Sequence, residues 1–114
     1  MGYYRKADIH KLLENAVFLH LKQLGFKVLI GKLDNKEIDF IVEKNSNKIY
    51  IQVCLQLNDE TTIKREFSNL LQIKDNFTKY VVTCNEPIIG DTYNDIIQLN
   101  LHDFLMIGFS YIVF

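Results

Sequence analysis

Two alternating segments separated by a polar turn constrain the fold of this chain most. Residues 37–43 and 48–56 alternate apolar and polar side chains, and residues 44–47 between them are Lys-Asn-Ser-Asn. Alternation with a period of two predicts two strands, paired as a hairpin. The apolar face of this hairpin would hold Ile38, Phe40, Val42, Ile49, Ile51, Val53 and Leu55. The opposite face would hold Glu37, Asp39, Gln52, Cys54 and Gln56.

Length and composition predict a single domain over residues 1–114. The chain has 114 residues, of which 48% are hydrophobic and 24% charged, as in ordinary globular proteins. It contains no run of about 18 apolar residues, so no membrane span is expected. The N-terminal residues lack the apolar region of a signal peptide, which predicts a cytoplasmic location.

The charge distribution leaves the nature of the ligand open. The net charge is −1, which argues against a broadly basic nucleic-acid binder. Residues 1–57 contain nine Lys and Arg against six Asp and Glu, whereas residues 58–114 contain four against eight. The basic half is either a weak phosphate-facing patch or an ordinary solvated face. Cys54 and Cys84 match no zinc-binding spacing, and both are expected to be free thiols.

The remaining segments predict an α+β fold with the element order αβββαβ, followed by a further strand and helix. Helical spacing marks residues 8–24, 60–75 and 101–107, and strand patterns mark residues 26–32, 79–84 and 96–99. This order predicts a mixed sheet with helices on both faces, in which the last strands lie parallel to their neighbours. Phe18 and Leu19 widen the apolar arc of the first helix, which predicts that this helix is covered on more than one side.

Glu14 and Asp39 are the acids with the strongest claim to a function. Asp is depleted in strands, so Asp39 in mid-strand calls for a reason. Glu14 lies on the first helix, where it either serves a site or pairs with Lys11 or Lys22 at the surface. His10 and His102 have no partner at metal-ligand spacing, and His20 is expected to be a packed helix residue.

An Asp on one strand, followed by an acid or amide and then a Lys two residues later on the next strand, is the pattern of a metal-dependent phosphodiesterase. Hydrolysis of a phosphodiester needs a cation that polarises phosphate and activates water, and Mg²⁺ prefers oxygen ligands. The pleat delivers residues i and i+2 to the same face. Here Asp39 fits the first position, and Gln52-Val53-Cys54 occupies the second strand.

This arrangement resembles the PD-(D/E)xK nuclease-like superfamily, with its restriction-endonuclease-like core. More narrowly, it is similar to the DUF4143-type C-terminal domain of AAA-family ATPases. The similarity spans residues 8–84 and rests on segments 14–21, 25–28, 31–32, 36–40, 49–54, 65–67 and 73–76.

The resemblance implies roles for four residues. Asp39 is the metal carboxylate, Glu14 is an auxiliary acid, and Gln52 replaces an acidic residue as a carbonyl-oxygen ligand to Mg²⁺ or Mn²⁺. Cys54 stands where the family has its catalytic Lys, and a thiol supplies no permanent positive charge. Lys32 or Lys36 would have to substitute from a neighbouring strand. No Walker-type motif occurs, so no ATP site is expected in this chain.

Two functions follow from these residues. The preferred one is a non-catalytic, nuclease-like module that binds DNA or docks on a partner, such as an ATPase domain. The alternative is a Mg²⁺-dependent DNA endonuclease that uses Asp39, Glu14 and Gln52. A third possibility is that the apolar tail, residues 110–114, forms an oligomer interface while the old site is idle.

Overall fold

A five-stranded mixed sheet organises the structure. The computed structural model describes residues 6–33, 36–54, 67–84 and 96–106. In chain order these contain α1 (Lys6–Gln23), β1 (Lys27–Leu33), β2 (Lys36–Lys44), β3 (Asn47–Cys54), α2 (residues 67–71), β4 (Thr78–Thr83), β5 (Ile96–Asn100) and α3 (Leu101–Met106). The strands follow one another across the sheet; β1–β2–β3 pair antiparallel, and β3–β4–β5 pair parallel.

The predicted α+β class and mixed sheet are confirmed, including the parallel setting of β4 and β5. Within the described ranges, no helix combines the length and hydropathy that crossing a membrane requires. The predictions for residues 55–66, 85–95 and 107–114, among them the apolar tail, lie outside the described residues.

Two apolar clusters form on opposite faces of the sheet, so β3 is covered on both sides. Alternate residues of β3 divide between the clusters, as the pleat requires. The first cluster, against α1 and α3, contains Leu13, Val17, Leu21, Phe26, Phe40, Val42, Ile49, Ile51, Val53, Tyr80, Val82 and Phe104. The second, against α2, contains Ile38, Tyr50, Cys54, Phe67, Leu70 and Val81. His20 packs edge-on against Phe104 with ring centroids 5.5 Å apart, which confirms its predicted packed role.

Gly25 ends α1 in a left-handed conformation, with φ of 91°. The N–H of Phe26 donates to the carbonyl of Leu21 at 3.2 Å, and the N–H of Gly25 donates to Lys22 at 3.0 Å. This pair of bonds is a Schellman motif, which satisfies carbonyls that the last helical turn leaves without partners. The chain thereby reverses direction and enters β1.

The position of Ile38 differs from the one that the predicted alternation of the second strand gives it. Leu29 pairs with Ile41 and Gly31 with Ile38, so one residue of β1 opposes both Asp39 and Phe40 of β2. This extra residue is a β-bulge, and it reverses the pleat at that point. Ile38 therefore packs in the second cluster, whereas Phe40 packs in the first. The prediction that both share a face is wrong.

The second helix ends earlier than predicted, at residue 71 rather than 75. Asp75 lies in the following bend, where its Oδ1 accepts from the N–H of Phe77 at 3.0 Å. An Asp that bonds the backbone two residues on favours a turn over a helix. The apolar spacing of this segment continued past the helix because Ile73 and Phe77 also pack against the second cluster.

Asp75 anchors a polar cluster at the opposite end of β3 from the bulge. The hydroxyl of buried Tyr50 donates to Oδ2 of Asp75 at 2.6 Å, and Nζ of Lys79 lies 3.1 Å from Oδ1. Burial alone would raise the pKa of the Asp75 carboxyl. Hydrogen bonds from Tyr50, Lys79 and the Phe77 N–H, together with the Lys79 charge, outweigh burial and lower this pKa below its usual value of 3.8. Burial, with Asp75 beside the hydroxyl, raises the pKa of Tyr50.

Replacing Gly25 with Ala should lower the free energy of unfolding by about 1–2 kcal/mol, because a left-handed backbone is unfavourable once a Cβ is present. No atom lies within 4 Å of a Cβ built there, so the cost comes from the backbone alone. Urea denaturation measures it. Gly31→Ala is the matched control, since that site has equal space and no positive φ. Equal losses in the two variants would contradict the capping role.

Removing the Tyr50 hydroxyl should lower stability at neutral pH by about 1–2 kcal/mol, because Tyr50→Phe leaves Asp75 short of a donor. A carboxyl whose pKa is lowered on folding stabilises the protein above its unfolded value of 3.8. That contribution disappears as the pH falls through the folded value.

The free energy of unfolding of the wild type, measured between about pH 6 and pH 3, should therefore fall more steeply than that of Asp75→Asn. Asp103→Asn changes an Asp whose side chain is 63% exposed and serves as the control. An Asp75→Asn slope equal to that of the wild type would show that the cluster does not hold the carboxylate.

Candidate functional site

A cleft between α1 and the strands β1 and β2 brings the two candidate acids together. Its volume is about 490 Å³. Glu14 faces it from the helix, and Asp39 faces it from the bulge of β2. The lining residues are Lys11, Glu14, Asn15, Phe18, Ile30, Gly31, Ile38, Asp39 and Phe40. The structure therefore places both predicted acids in one cleft.

Beyond the point where the regular pairing of β2 and β3 ends, the side chains of Asp39 and Gln52 link the two strands. The register runs from Lys44–Asn47 to Phe40–Ile51. Past that pair, the N–H of Asp39 donates to Oε1 of Gln52 at 2.8 Å, and the N–H of Val53 donates to Oδ2 of Asp39 at 2.7 Å. Each side-chain oxygen thus accepts from the backbone of the opposite strand, in place of a ladder bond.

His10 supplies the other partner of Val53. Its Nε2 lies 3.0 Å from the Val53 carbonyl oxygen, and because a carbonyl only accepts, Nε2 carries the hydrogen. Nδ1 of the same ring lies 3.5 Å from Oε1 of Glu14.

The sequence prediction missed this role of His10. Of the two alternatives for Glu14, a site role and a surface pair with Lys11 or Lys22, neither is settled by the contact that the structure shows, which sets Oε1 of Glu14 3.5 Å from Nδ1 of His10. The spacing of four residues between His10 and Glu14 is the signal that was available, since such residues are neighbours on a helix. The bond from His10 to β3 joins residues 43 positions apart in the sequence, so no local sequence pattern could predict it.

Gln52 and Cys54 are buried, with 4% and 3% of their surface exposed. Gln52 contacts the backbone of Asp39, as described. Cys54 instead packs in the second cluster beside Tyr50 and Phe67, where it behaves as a small apolar side chain. The structure thus joins three of the four predicted residues around the strand ends and sets Cys54 among apolar neighbours. Their catalytic and metal-binding roles stay predictions.

Among the described residues that line the cleft, Lys11 is the one Lys or Arg. The side chains of Lys32, Lys36 and Glu37 lie outside the described residues.

The described residues do not fit a magnesium site well. Among them, no group of three His, Cys, Asp or Glu side chains is placed to hold a metal ion. Oε1 of Gln52 and Oδ2 of Asp39 accept strong bonds from backbone N–H groups, and Glu14 is paired with His10. A hard cation requires several oxygen ligands directed at one point, whereas Oε1 of Gln52 and Oδ2 of Asp39 are directed at backbone N–H groups.

Comparisons with known proteins identify relatives but no function. No protein-family profile matches the chain. An "Uncharacterized protein" of Haemophilus influenzae is 46% identical over 77 residues, which cover 68% of this chain and 18% of that protein. A second uncharacterized protein, from Methanocaldococcus jannaschii, is 36% identical over 84 residues, covering 67% of this chain and 19% of that protein. The chain thus matches less than a fifth of each relative's length.

Asp39→Ala should lower the free energy of unfolding by about 2 kcal/mol, because the N–H of Val53 would be left buried without an acceptor. Asp39→Asn should cost less, since its amide oxygen can still accept this bond. Urea denaturation of the two variants measures the difference. An acid retained for catalysis often destabilises its protein, so a gain in stability in both variants would contradict the structural role of Asp39.

Proposed function

We propose that the chain is a degenerate, nuclease-like domain that serves as a non-catalytic module, binding DNA or docking on a partner such as an AAA-type ATPase domain. One observation carries this proposal. The oxygens of Asp39 and Gln52, the residues best suited to hold a cation, accept backbone N–H groups of the adjacent strands at 2.7 and 2.8 Å. The polar residues of the site therefore hold the strand ends together.

The absence of a lysine at position 54 supports the same proposal. Phosphodiester cleavage builds negative charge in the transition state, and a fixed positive group stabilises it. Cys54 has no amine or guanidinium group, and it packs among apolar side chains. With two carboxylates lining the cleft, the loss of that charge would slow cleavage by orders of magnitude.

The size of the relatives supports a role as a module. A segment that matches less than a fifth of two longer proteins is suited to act beside other domains. The neighbouring domain in this proposal is an ATPase domain, because residues 8–84 resemble the C-terminal domain of AAA-family ATPases. The proposal includes a cytoplasmic location, which is supported by the observation that Cys54 and Cys84 form no disulfide.

DNA binding by this module would be weak and dominated by phosphate contacts. Lys11 and Asn15 are exposed donors at the cleft, whereas Glu14 and Asp39 repel phosphate. We expect a Kd on the order of 10⁻⁴ M near physiological salt, the weak end of non-specific binding. If the chain does not bind DNA, the module would act by docking on a protein partner.

The alternative function is a Mg²⁺-dependent endonuclease that uses Asp39, Glu14 and Gln52. The observation in its favour is that Glu14 and Asp39 line one cleft, with Asp39 on a bulge. Bulges are frequent beside active sites, where they redirect side chains.

Incubation of supercoiled plasmid with the full chain and Mg²⁺ or Mn²⁺ tests both functions. We expect no nicking above the metal-only background, and no heat of metal binding in calorimetric titration. Asp39→Asn and Glu14→Gln are the variants to compare, because both keep the local hydrogen-bonding shape. Metal-dependent nicking that disappears in Asp39→Asn would overturn the non-catalytic proposal and establish the endonuclease.

Fluorescence anisotropy with a labelled duplex tests the binding function without metal. Lys11→Ala should weaken binding about threefold, because one phosphate contact is lost. Lys74→Ala removes an exposed lysine outside the cleft and should leave the Kd unchanged. Equal effects of the two variants would show that binding, if present, does not involve the cleft.

A further inference from the structure

The outer face of α1 carries an apolar stripe that the cores do not use. Leu13, Val17 and Leu21 point into the first cluster and are buried. Ile9, Leu12, Ala16 and Leu19 follow one another at spacings of three, four and three residues, which centres them about 120° around the helix from the buried residues, on an adjoining side. Leu12 is 56% exposed and Leu19 is 63% exposed. The predicted cover on this second side of the helix is therefore not provided by the described residues.

This spacing is that of the seam between two packed helices. Positions a and d of a heptad repeat are separated alternately by three and four residues. Ile9 and Ala16 occupy a positions, and Leu12 and Leu19 occupy d positions. Three large apolar side chains with one small one form a narrow ridge, whereas an ordinary solvated helix face would be polar here.

The charges at the two ends of the stripe favour a second copy of this chain in antiparallel orientation. Asp8 lies in the first turn of α1 and Lys22 in the last, and both occupy g positions of the same heptads. In an antiparallel pair, g positions lie opposite one another. Asp8 of one copy would then face Lys22 of the other, on both sides of the two-fold axis. In a parallel pair, g positions lie beside e positions, which here are Leu13 and His20, so Asp8 and Lys22 would not meet.

The apolar layers also match in that orientation. An antiparallel seam pairs a with d, which sets Ile9 against Leu19 of the second copy and Leu12 against its Ala16. Each of the four layers then joins one γ-branched Leu with either Ile or Ala. The small side chain of Ala16 leaves room for Leu12, so the layers fill without two large residues meeting in the centre.

We propose that the outer face of α1, formed by Ile9, Leu12, Ala16 and Leu19, binds the same face of a second copy as an antiparallel helix pair. The contact spans only two heptads, and its area lies below the range of about 1,200–2,000 Å² of stable interfaces. The dimer is therefore weak and depends on concentration. Glu14 and Asp39 take no part in this contact, whereas Asn15, the g position between Asp8 and Lys22, also lines the cleft.

Sedimentation velocity of the full chain, from about 10 µM to about 1 mM, tests the proposal. The wild type should shift from monomer to dimer across this range. Leu12→Gln with Leu19→Gln should abolish the shift while leaving thermal unfolding nearly unchanged, because both side chains are exposed. A wild type that stays monomeric, or a double variant that still dimerises, would overturn the proposal.

A charge exchange tests the orientation. Asp8→Lys alone and Lys22→Asp alone should each weaken the dimer about tenfold, because two symmetric attractions become repulsions. An equimolar mixture of these two variants should dimerise again, since each then faces its opposite charge. The combined variant, Asp8→Lys with Lys22→Asp, should also recover.

The combined variant separates assembly from folding. Reversed charges at both helix ends oppose the helix dipole, so it should be the least stable variant toward heat and still dimerise. Failure of the mixture to associate would overturn the antiparallel register. If the stripe is instead covered by another segment of the same chain, the Leu12→Gln and Leu19→Gln variant will be monomeric like the wild type but markedly less stable, which would also overturn the proposal.

Discussion

The backbone of Val53 is the constraint on which the surroundings of the cleft depend. β3 is paired with β4 as far as Cys54, but β2 accompanies it only to Ile51. Val53 is buried, and an unpaired backbone group in such a place costs about 1–3 kcal/mol. The Asp39 carboxylate accepts from its N–H, and the His10 imidazole donates to its carbonyl. One strand residue therefore ties the bulged strand and the first helix together.

The two ends of β3 use polar side chains in different ways. Near the start of the strand, Tyr50, Asp75 and Lys79 satisfy one another in a compact cluster. Near its end, Asp39, Gln52 and His10 satisfy backbone groups that a neighbouring strand would otherwise pair. Asp75 and Lys79 of the first set line a cleft of about 370 Å³. Asp39 of the second set lines the cleft beside α1, and the resemblance to nucleases rests in part on Asp39 and Gln52.

Local patterns were sufficient for most of the fold. The alternation of residues 37–43 and 48–56 correctly predicts β2 and β3, and Gly25 correctly marks the end of α1. The acid cluster was predictable in part, since Glu14 and Asp39 do share a cleft. The pleat reversal at Asp39 could not be read from the sequence, because a bulge depends on how two strands pair. The bond from His10 to Val53 is equally invisible, because it depends on the tertiary placement of the helix.

The bulge in β2 also divides the hairpin into two parts that tolerate change differently. Between the turn at Asn45 and Phe40, the strand follows a regular pleat, and a paired insertion or deletion of two residues in β2 and β3 would keep every side chain on its face. At Asp39, the same insertion or deletion would shift both Ile38 and the Asp39 carboxylate from their present positions. Loss of one residue there would restore the regular pleat and carry Ile38 to the opposite face. Length variation among relatives is therefore expected near the turn and not beside the cleft.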